Sequence, residues 1–370
     1  MGPIGFACSW GADRQSTWSG TPWRLHTALS QRVELVDIDV TIPPAIAKPL
    51  RLAHARRSNG QWRSMWQHGQ LATKLVERRL QSRALGARPS TVLEVQDLGV
   101  IDQPYYVLQD LSYDLLLDHF GEGGVPHFRN LGHRRITQLR DRQLGIYEHA
   151  AGLLPMSSWL AERSIRSGVD RARVHVINPG VNAPLDDQSP IPERRRAQVK
   201  RLLFIGRDFE TKAGDQVVAA FMMLRKELGS DITLTIAGPK LWPLRSPIPD
   251  GVEFLGPVPV ATVQTLYDTH DLFVMPSRFE GFGIAFVEAL VRGLPCIGRR
   301  ACAMPEIIDA DSGGFLVDGD SPAELAELIV SALSDDVLYE ACAKAAPARR
   351  RFYTWDRAAE EVILALGSAS

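Results

Sequence analysis

At 370 residues the chain exceeds the size at which one hydrophobic core usually stops growing, so two domains are the prior and a one-domain barrel the alternative. Apolar residues at 45% and charged residues at 23% describe a soluble globular protein, and no run reaches the roughly 18 apolar residues of a membrane span. The formal net charge of −1 hides an asymmetry: residues 1–190 carry 22 basic against 18 acidic side chains, and residues 191–370 carry 20 against 25.

The opening "MGPIGFACSW" has no basic stretch before its apolar run, and Phe6 stands where a myristoylation signal needs Ser or Thr, so it reads as a first strand. A helix is expected near "PWRLHTALSQ" and a strand at "VELVDIDV", while residues 40–65 carry no clear period. Segment 45–90 holds ten basic residues and one acid, Glu77, a local net of +9 with Trp62 and Trp66 interleaved. That composition suits a peripheral contact with an anionic membrane. A solvated basic helix, or arginines shaping an acidic binding site, are the alternatives, and nothing else in the chain resembles a nucleic-acid-binding module.

A helix follows at "WQHGQLATKLVERRLQSRAL", then strands at "STVLEVQD" and "PYYVLQDLS", a helix at "RRITQLRDRQLGIYEHA", and strands at "AAGLLPMSS" and "VHVINPG". The Pro-, Asp- and Arg-rich stretch beyond reads as a linker over 183–198. From Val199 strands and helices alternate cleanly: "KRLLFIG", "GDQVVAAFMMLRKELG", "DITLTIAG", "VEFLG", "ATVQTLYDTH", "DLFVMPS", "GIAFVEALVRG", "PCIG", "SPAELAELIVSALSDD". Such alternation implies α/β domains with parallel sheets covered on both faces. The expected division is 1–182, linker 183–198, 199–348, and an amphipathic terminal helix within 349–370 that needs a surface to pack on. Four scattered cysteines without metal-ligand spacing point to a reducing compartment, with cytosol the default.

Two doubly wound domains suggest a ligand at the carboxyl ends of the strands, in a cleft between them. After "RLLFIG" come Arg207 and Lys212, five apart, a pairing that suits a diphosphate; two solvated loop charges are the alternative. After "DLFVMPS" comes "RFEGFG", where Gly281 and Gly283 allow close backbone approach and the first helical turn offers free N–H groups to an anion. Glu280 would then face an uncharged, hydroxylated part of the ligand. Glu288 lies about a turn and a half into the helix, and a surface pair with Arg292 is its alternative reading. GxGxxG, the P-loop and GxSxG are absent, as is any convincing metal-binding set.

In order and spacing, "FIGRDFETKAGDQVVAAF", "TIAGP", "VEFLGPV", "LYDTHDLFVMPSRFEGFGIAFVEALVRGLPCIG", "MPEII" and "GGFLVDGDSPAELAELI" resemble the successive motifs of the retaining nucleotide-sugar glycosyltransferases of family 4. The resemblance implies a GT-B fold: two Rossmann-like domains facing a cleft, with a C-terminal helix crossing back to the N-terminal domain. It implies that Arg207 and Lys212 bind the donor diphosphate beside Gly206 and that Glu288 holds the ribose. Glu280 with Gly281, Phe282, Gly283 and Ile284 would meet the donor sugar and phosphates, Val258 would lie by the base, and Gly20 would belong to a loop closing over the donor. Relatives carry a His-Asp pair where this chain has Gln109 and Asp110. Gln109 cannot act as a base, so the leaving phosphate would take the acceptor proton, unless His119 or His133 substitutes. The implied activity is transfer of a hexosyl or related group, with retention, from a nucleotide-diphosphate sugar to a glycan, lipid-linked or small-molecule hydroxyl, without cofactor or metal. The implied place is the cytoplasm, or the inner face of the membrane. A sugar-nucleotide epimerase, a phosphorylase and a noncatalytic nucleotide-sugar-binding subunit are the alternatives.

Overall fold

The computed structural model describes residues 2–58, 61–119, 125–128, 130–183, 185–186, 189–193, 199–309 and 311–367. The chain divides into two compact units, one of residues 1–182 with 355–370 and one of residues 183–354.

In the first unit the apolar runs become β1 (Ile4–Cys8), β2 (Leu35–Asp39), β5 (Thr91–Val95), β6 (Tyr105–Gln109) and β7 (Gly152–Pro155), with α1 (Thr21–Ser30) following β1. These strands pair in parallel in the order β2-β1-β5-β6-β7, as expected of near-continuous hydrophobic runs covered on both faces. Residues 40–65, without period in the sequence, form α2 (Pro44–Ala53) and an antiparallel hairpin of β3 (Ala55–Ser58) and β4 (Gln61–Ser64). Prolines at its start preset the φ of the first turn of α2. Beyond Gly69 runs α3 (Gln70–Ala87); α4 (Tyr113–Asp118), α5 (His133–His149) and α6 (Ser158–Arg166) complete this part.

The strand expected at "VHVINPG" does not form. His175 and Ile177 donate to the carbonyls of Leu153 and Pro155 at 2.9 Å, but a parallel ladder needs donors from both strands and Pro155 has no N–H to return. A single bridge, Leu153 to Val174, is all that remains.

The second unit holds β8 (Lys200–Ile205), α7 (Gly214–Leu228), β9 (Ile232–Ala237), β10 (Val252–Gly256), α8 (Val260–Thr269), β11 (Leu272–Val274), α9 (Ile284–Leu290), β12 (Cys296–Arg299), α10 (Met304–Ile307), β13 (Gly314–Val317), α11 (Pro322–Ser334) and α12 (Asp336–Phe352). Its sheet is also parallel throughout, in the order β10-β9-β8-β11-β12-β13. The last helix, α13 (Trp355–Gly367), starts later than the expected 349, because α12 continues to Phe352 within the second unit. Arg350, 4% exposed, holds that end in place by donating to the carbonyls of Val291, Asp186 and Ser189.

The first unit supplies the surface that α13 needs. It packs on α1, burying Ala358, Ala359, Val362, Ala365 and Leu366. Arg32 reaches Asp356 at 2.8 Å, and Arg357 donates to the carbonyl of Asn178 at 2.6 Å. Most of the linker expected over 183–198 lies outside the described residues.

Candidate functional site

In the second unit the sheet order reverses between β8 and β11, and the loops leaving their carboxyl ends flank that switch point, where open α/β sheets leave a crevice. Arg207 and Lys212 lie in the first loop, Glu280 to Gly283 in the second. A Cβ on Gly206 would come within 2.9 Å of Lys212 Cγ, so only glycine lets the lysine stem cross the strand end. Lys212 Nζ then meets Glu280 Oε2 at 2.6 Å, with the two side chains 22% and 11% exposed. Ser277 Oγ donates to the same carboxylate oxygen at 3.3 Å. Arg207, by contrast, is exposed and has no ion pair to another described residue. The predicted pair of cations thus splits: Arg207 is free, and Lys212 is already neutralised.

Gly281, Phe282 and Gly283 are buried, with Gly283 at φ 100°, a left-handed turn that hands the chain to Ile284 at the start of α9. At seven residues α9 is too short to supply much helix dipole, so fixed side-chain charges matter more here than the helix end. Glu288, half-buried on α9, accepts from Tyr267 Oη at 3.4 Å. Arg292 is 1% exposed and lies 3.2 Å from Asp268, with Nη1 donating to the Glu288 carbonyl. Arg292 is thus a buried residue rather than a surface one. Val258 is half-buried in the loop after β10.

Sequence reasoning missed the strut that fixes both loops. Arg278 forks onto the two oxygens of Asp215, each at 2.7 Å, reaches Asp320 at 2.7 Å and the Glu210 carbonyl at 2.6 Å, and donates its own N–H to Thr211. Arg299 also holds Asp320. An arginine directly before the Phe-Glu-Gly turn was the available signal; its partners, far away in sequence, gave none.

Burial alone would raise the carboxyls of Asp215 and Asp320, but hydrogen bonds and charge from Arg278, joined at Asp320 by Arg299, hold both below the ordinary value of 3.8. A depressed carboxylate contributes stability above its unfolded pKa that is lost as pH falls through the lower folded value. Arg278→Ala is therefore expected to cost about 1 to 3 kcal/mol at pH 7, reduced toward the lower figure by partial exposure, with the deficit shrinking below about pH 4. Thermal unfolding of both proteins across pH 3 to 7 measures it, and a gap unchanged at pH 3 would refute the ionic strut.

In the first unit, Gln109 is 1% exposed and its amide donates to the buried Tyr147 hydroxyl. The Gln109 Oε1 atom has no hydrogen-bond partner among the described residues. Asp110 is half-buried at the start of the following loop. Gly20, at φ 90°, caps α1 after Trp18 and Ser19, which are themselves left-handed at φ 44° and 59°. His119 Nδ1 bonds the Leu115 carbonyl at 2.8 Å and His133 begins α5. A cavity of about 920 Å³ opens beside the loops after β1 and β5. Among the described residues no cluster of three or more His, Cys, Asp or Glu could hold a metal, and no helix is long and apolar enough to cross a membrane.

Residues 187–349 match the family model described as "Glycosyl transferases group 1". A D-inositol 3-phosphate glycosyltransferase of Corynebacterium urealyticum is 28% identical over 225 residues, 54% of this chain and 52% of that protein. The chain spans about half the length of the curated relatives it matches. Among solved structures, a sucrose-phosphate synthase from Thermosynechococcus elongatus superposes with a TM-score of 0.71 at 16% identity, covering 100% of both chains. Anabaena HepE, solved in complex with UDP-glucose, does so with a TM-score of 0.60 at 17% identity, again over 100% of both. Likeness at these identities shows the fold, GT-B with two Rossmann-like units.

Proposed function

We propose, from a chain whose residues 187–349 match the group 1 glycosyl transferase model, that this protein moves a sugar from a nucleotide-diphosphate sugar to an acceptor hydroxyl with retention of anomeric configuration. The observation carrying the proposal is the arrangement at the β8/β11 switch point, where a free guanidinium at Arg207 lies in one loop and the Lys212–Glu280 pair joins that loop to the next. A diphosphate needs fixed cations, and a sugar needs a carboxylate to accept from its hydroxyls. This one place supplies both.

In the reaction the bond from the anomeric carbon to the diphosphate breaks, and the acceptor oxygen bonds to that carbon from the same face. Its proton goes to the departing phosphate oxygen. Arg207 and Lys212 stabilise the charge that grows on the leaving diphosphate, Glu280 that on the sugar, and Glu288 holds the ribose. Gly206, Gly281 and the Phe282–Ile284 turn admit the ligand to the backbone, with Val258 by the base and Gly20 in the closing loop. Asp110 is the remaining polar group for the sugar, next to Gln109, whose amide nitrogen bonds Tyr147.

HepE was solved with UDP-glucose, which makes a uridine nucleotide the first donor to try. A peripheral contact with an anionic bilayer belongs to the same reading, supported by Leu52 at 77% and Trp62 at 73% exposure beside Arg56 and Arg57. Thermal unfolding with UDP, GDP, ADP and dTDP tests the function. One of them at a hundredfold excess over its Kd is expected to add about 2.7 kcal/mol of stability, and its sugar conjugate to be slowly hydrolysed or transferred. Stabilisation by none would overturn the proposal.

A further inference from the structure

Resting on that reading, we propose that Tyr353, the last residue but one of the second unit, is a positioning residue for the nucleotide-sugar site: its ring seats Phe282 and so fixes the glycine turn that opens α9. The turn and the segment by which the chain leaves the unit thereby become one mechanical piece.

The need for such a seat comes from the turn itself. Gly281 and Gly283 flank Phe282, and glycine loses more backbone freedom on being fixed than any other residue. A Cβ at Gly283, with its φ of 100°, would come within 2.9 Å of the Phe286 ring, so the turn cannot be stiffened by a side chain there. What holds it is the side chain between the glycines. Phe282 is 4% exposed, and its ring meets that of Tyr353 with centroids 6.3 Å apart and planes at 57°. The backbone of the turn is thus left to the ligand while its one large side chain is buried in the unit.

Tyr353 is itself well fixed. It caps α12, its N–H donating to the Arg349 carbonyl at 2.8 Å, and Phe352 stands edge-on to it at 4.9 Å. The same end of α12 grips the far end of α9. Arg350 donates to the Val291 carbonyl at 2.7 Å, and a Cβ on Gly293 would come within 3.2 Å of Ala343 Cα on α12. Tyr353 and Arg350 therefore hold both ends of the helix on which Glu288 lies. The two passages of the chain between its units are fastened to this place as well. Thr354 is the last residue of the second unit before α13, and Arg350 also donates to the carbonyls of Asp186 and Ser189, a few residues after the passage at 182–183. A ligand that orders the turn must order the end of α12 with it, and by reciprocity a loosened end of α12 weakens the ligand.

The test is calorimetric titration of UDP, GDP, ADP and dTDP into the wild type, then of whichever binds into Tyr353→Ala and Tyr353→Phe, with thermal unfolding of each protein. Tyr353→Ala is expected to bind about threefold to tenfold more weakly, the span that an aromatic pair supports, and Tyr353→Phe, which keeps the ring, to bind as the wild type does. A merely structural contact would lower the melting temperature of Tyr353→Ala and leave the affinity of the folded protein intact. That result, or equal loss in both variants, overturns the proposal. Hydrogen exchange of the wild type needs no variant. The Tyr353 and Thr354 amides, bonded to the Arg349 and Phe352 carbonyls, lie at a helix end that exchanges by local opening, and the nucleotide should slow them about threefold or more. Unchanged exchange there also overturns the proposal. A wild type that binds none of the nucleotides refutes the donor reading, and this proposal falls with it; binding that is unaltered in Tyr353→Ala refutes this proposal alone.

Discussion

Lys212→Ala is expected to lose donor affinity and fold stability together, whereas Arg207→Ala loses affinity alone. Each removes a charge-assisted contact to a diphosphate, worth roughly 1.5 to 3 kcal/mol, so nucleoside diphosphate affinity should fall about tenfold to a hundredfold in both. Only Lys212 leaves a partner behind. Glu280, with its side chain 11% exposed, keeps Ser277 at 3.3 Å as its side-chain donor among the described residues once the ammonium is gone. An uncompensated carboxylate this far from water costs on the order of 1 to 3 kcal/mol. Arg207 has no such dependant and its removal should leave the melting temperature nearly unchanged. Calorimetric titration of the nucleotide and thermal unfolding of both variants decide the matter. In the double variant Lys212→Ala/Glu280→Gln, part of the lost stability should return, because a neutral amide tolerates the site. If Lys212→Ala binds nucleotide normally and merely unfolds more easily, Lys212 is structural and the diphosphate site is misplaced.

What the sequence discloses and what it hides divide along a physical line. Buried parallel strands must be contiguous apolar runs ended by turn residues, so "IGFAC", "TVLEV", "KRLLFI" and "ITLTIA" announce themselves. The strand that failed, "VHVINPG", has the right composition but depends on Pro155, about twenty positions away, and no local pattern reports a missing donor. The α2 helix and its hairpin were hidden because α2 is only ten residues long, carries Pro49 inside it, and buries its Ala47 and Leu50 face only partly against Ile42, Trp66 and Ala72. The same holds for the site. Arg207, Lys212, Glu280 and Glu288 could be picked out because each sits beside a strand end or helix start that the pattern locates. Their pairings could not: Lys212 meets Glu280 across 68 positions and Arg278 meets Asp215 across 63, and such contacts exist only once β8 and β11 lie side by side. The cavity of the first unit was hidden for the same reason, since its wall is assembled from the ends of β1 and β5.

The two glutamates should fail in opposite ways, and the Lys212 contact sharpens the contrast. Glu288 is assigned to the ribose, a part of the donor that does not react, so Glu288→Gln weakens ground state and transition state together. Its KM should rise and its nucleoside diphosphate affinity fall, with kcat less affected. Glu280 is assigned to the transferred sugar, and without ligand it also neutralises Lys212 at 2.6 Å. Its replacement by Gln removes the carboxylate that competes with a diphosphate for that ammonium, so nucleoside diphosphate affinity should hold or increase. Turnover should meanwhile drop about tenfold for each 1.4 kcal/mol of transition-state stabilisation lost at the anomeric centre. Calorimetry with the nucleotide, alongside steady-state transfer from the sugar donor, reads both effects. If Glu280→Gln loses the nucleotide while Glu288→Gln binds it as the wild type does, the two roles are reversed. If neither variant changes binding or rate, Glu280 and Glu288 serve only the fold, and sugar transfer at the β8/β11 switch point loses its chemical basis.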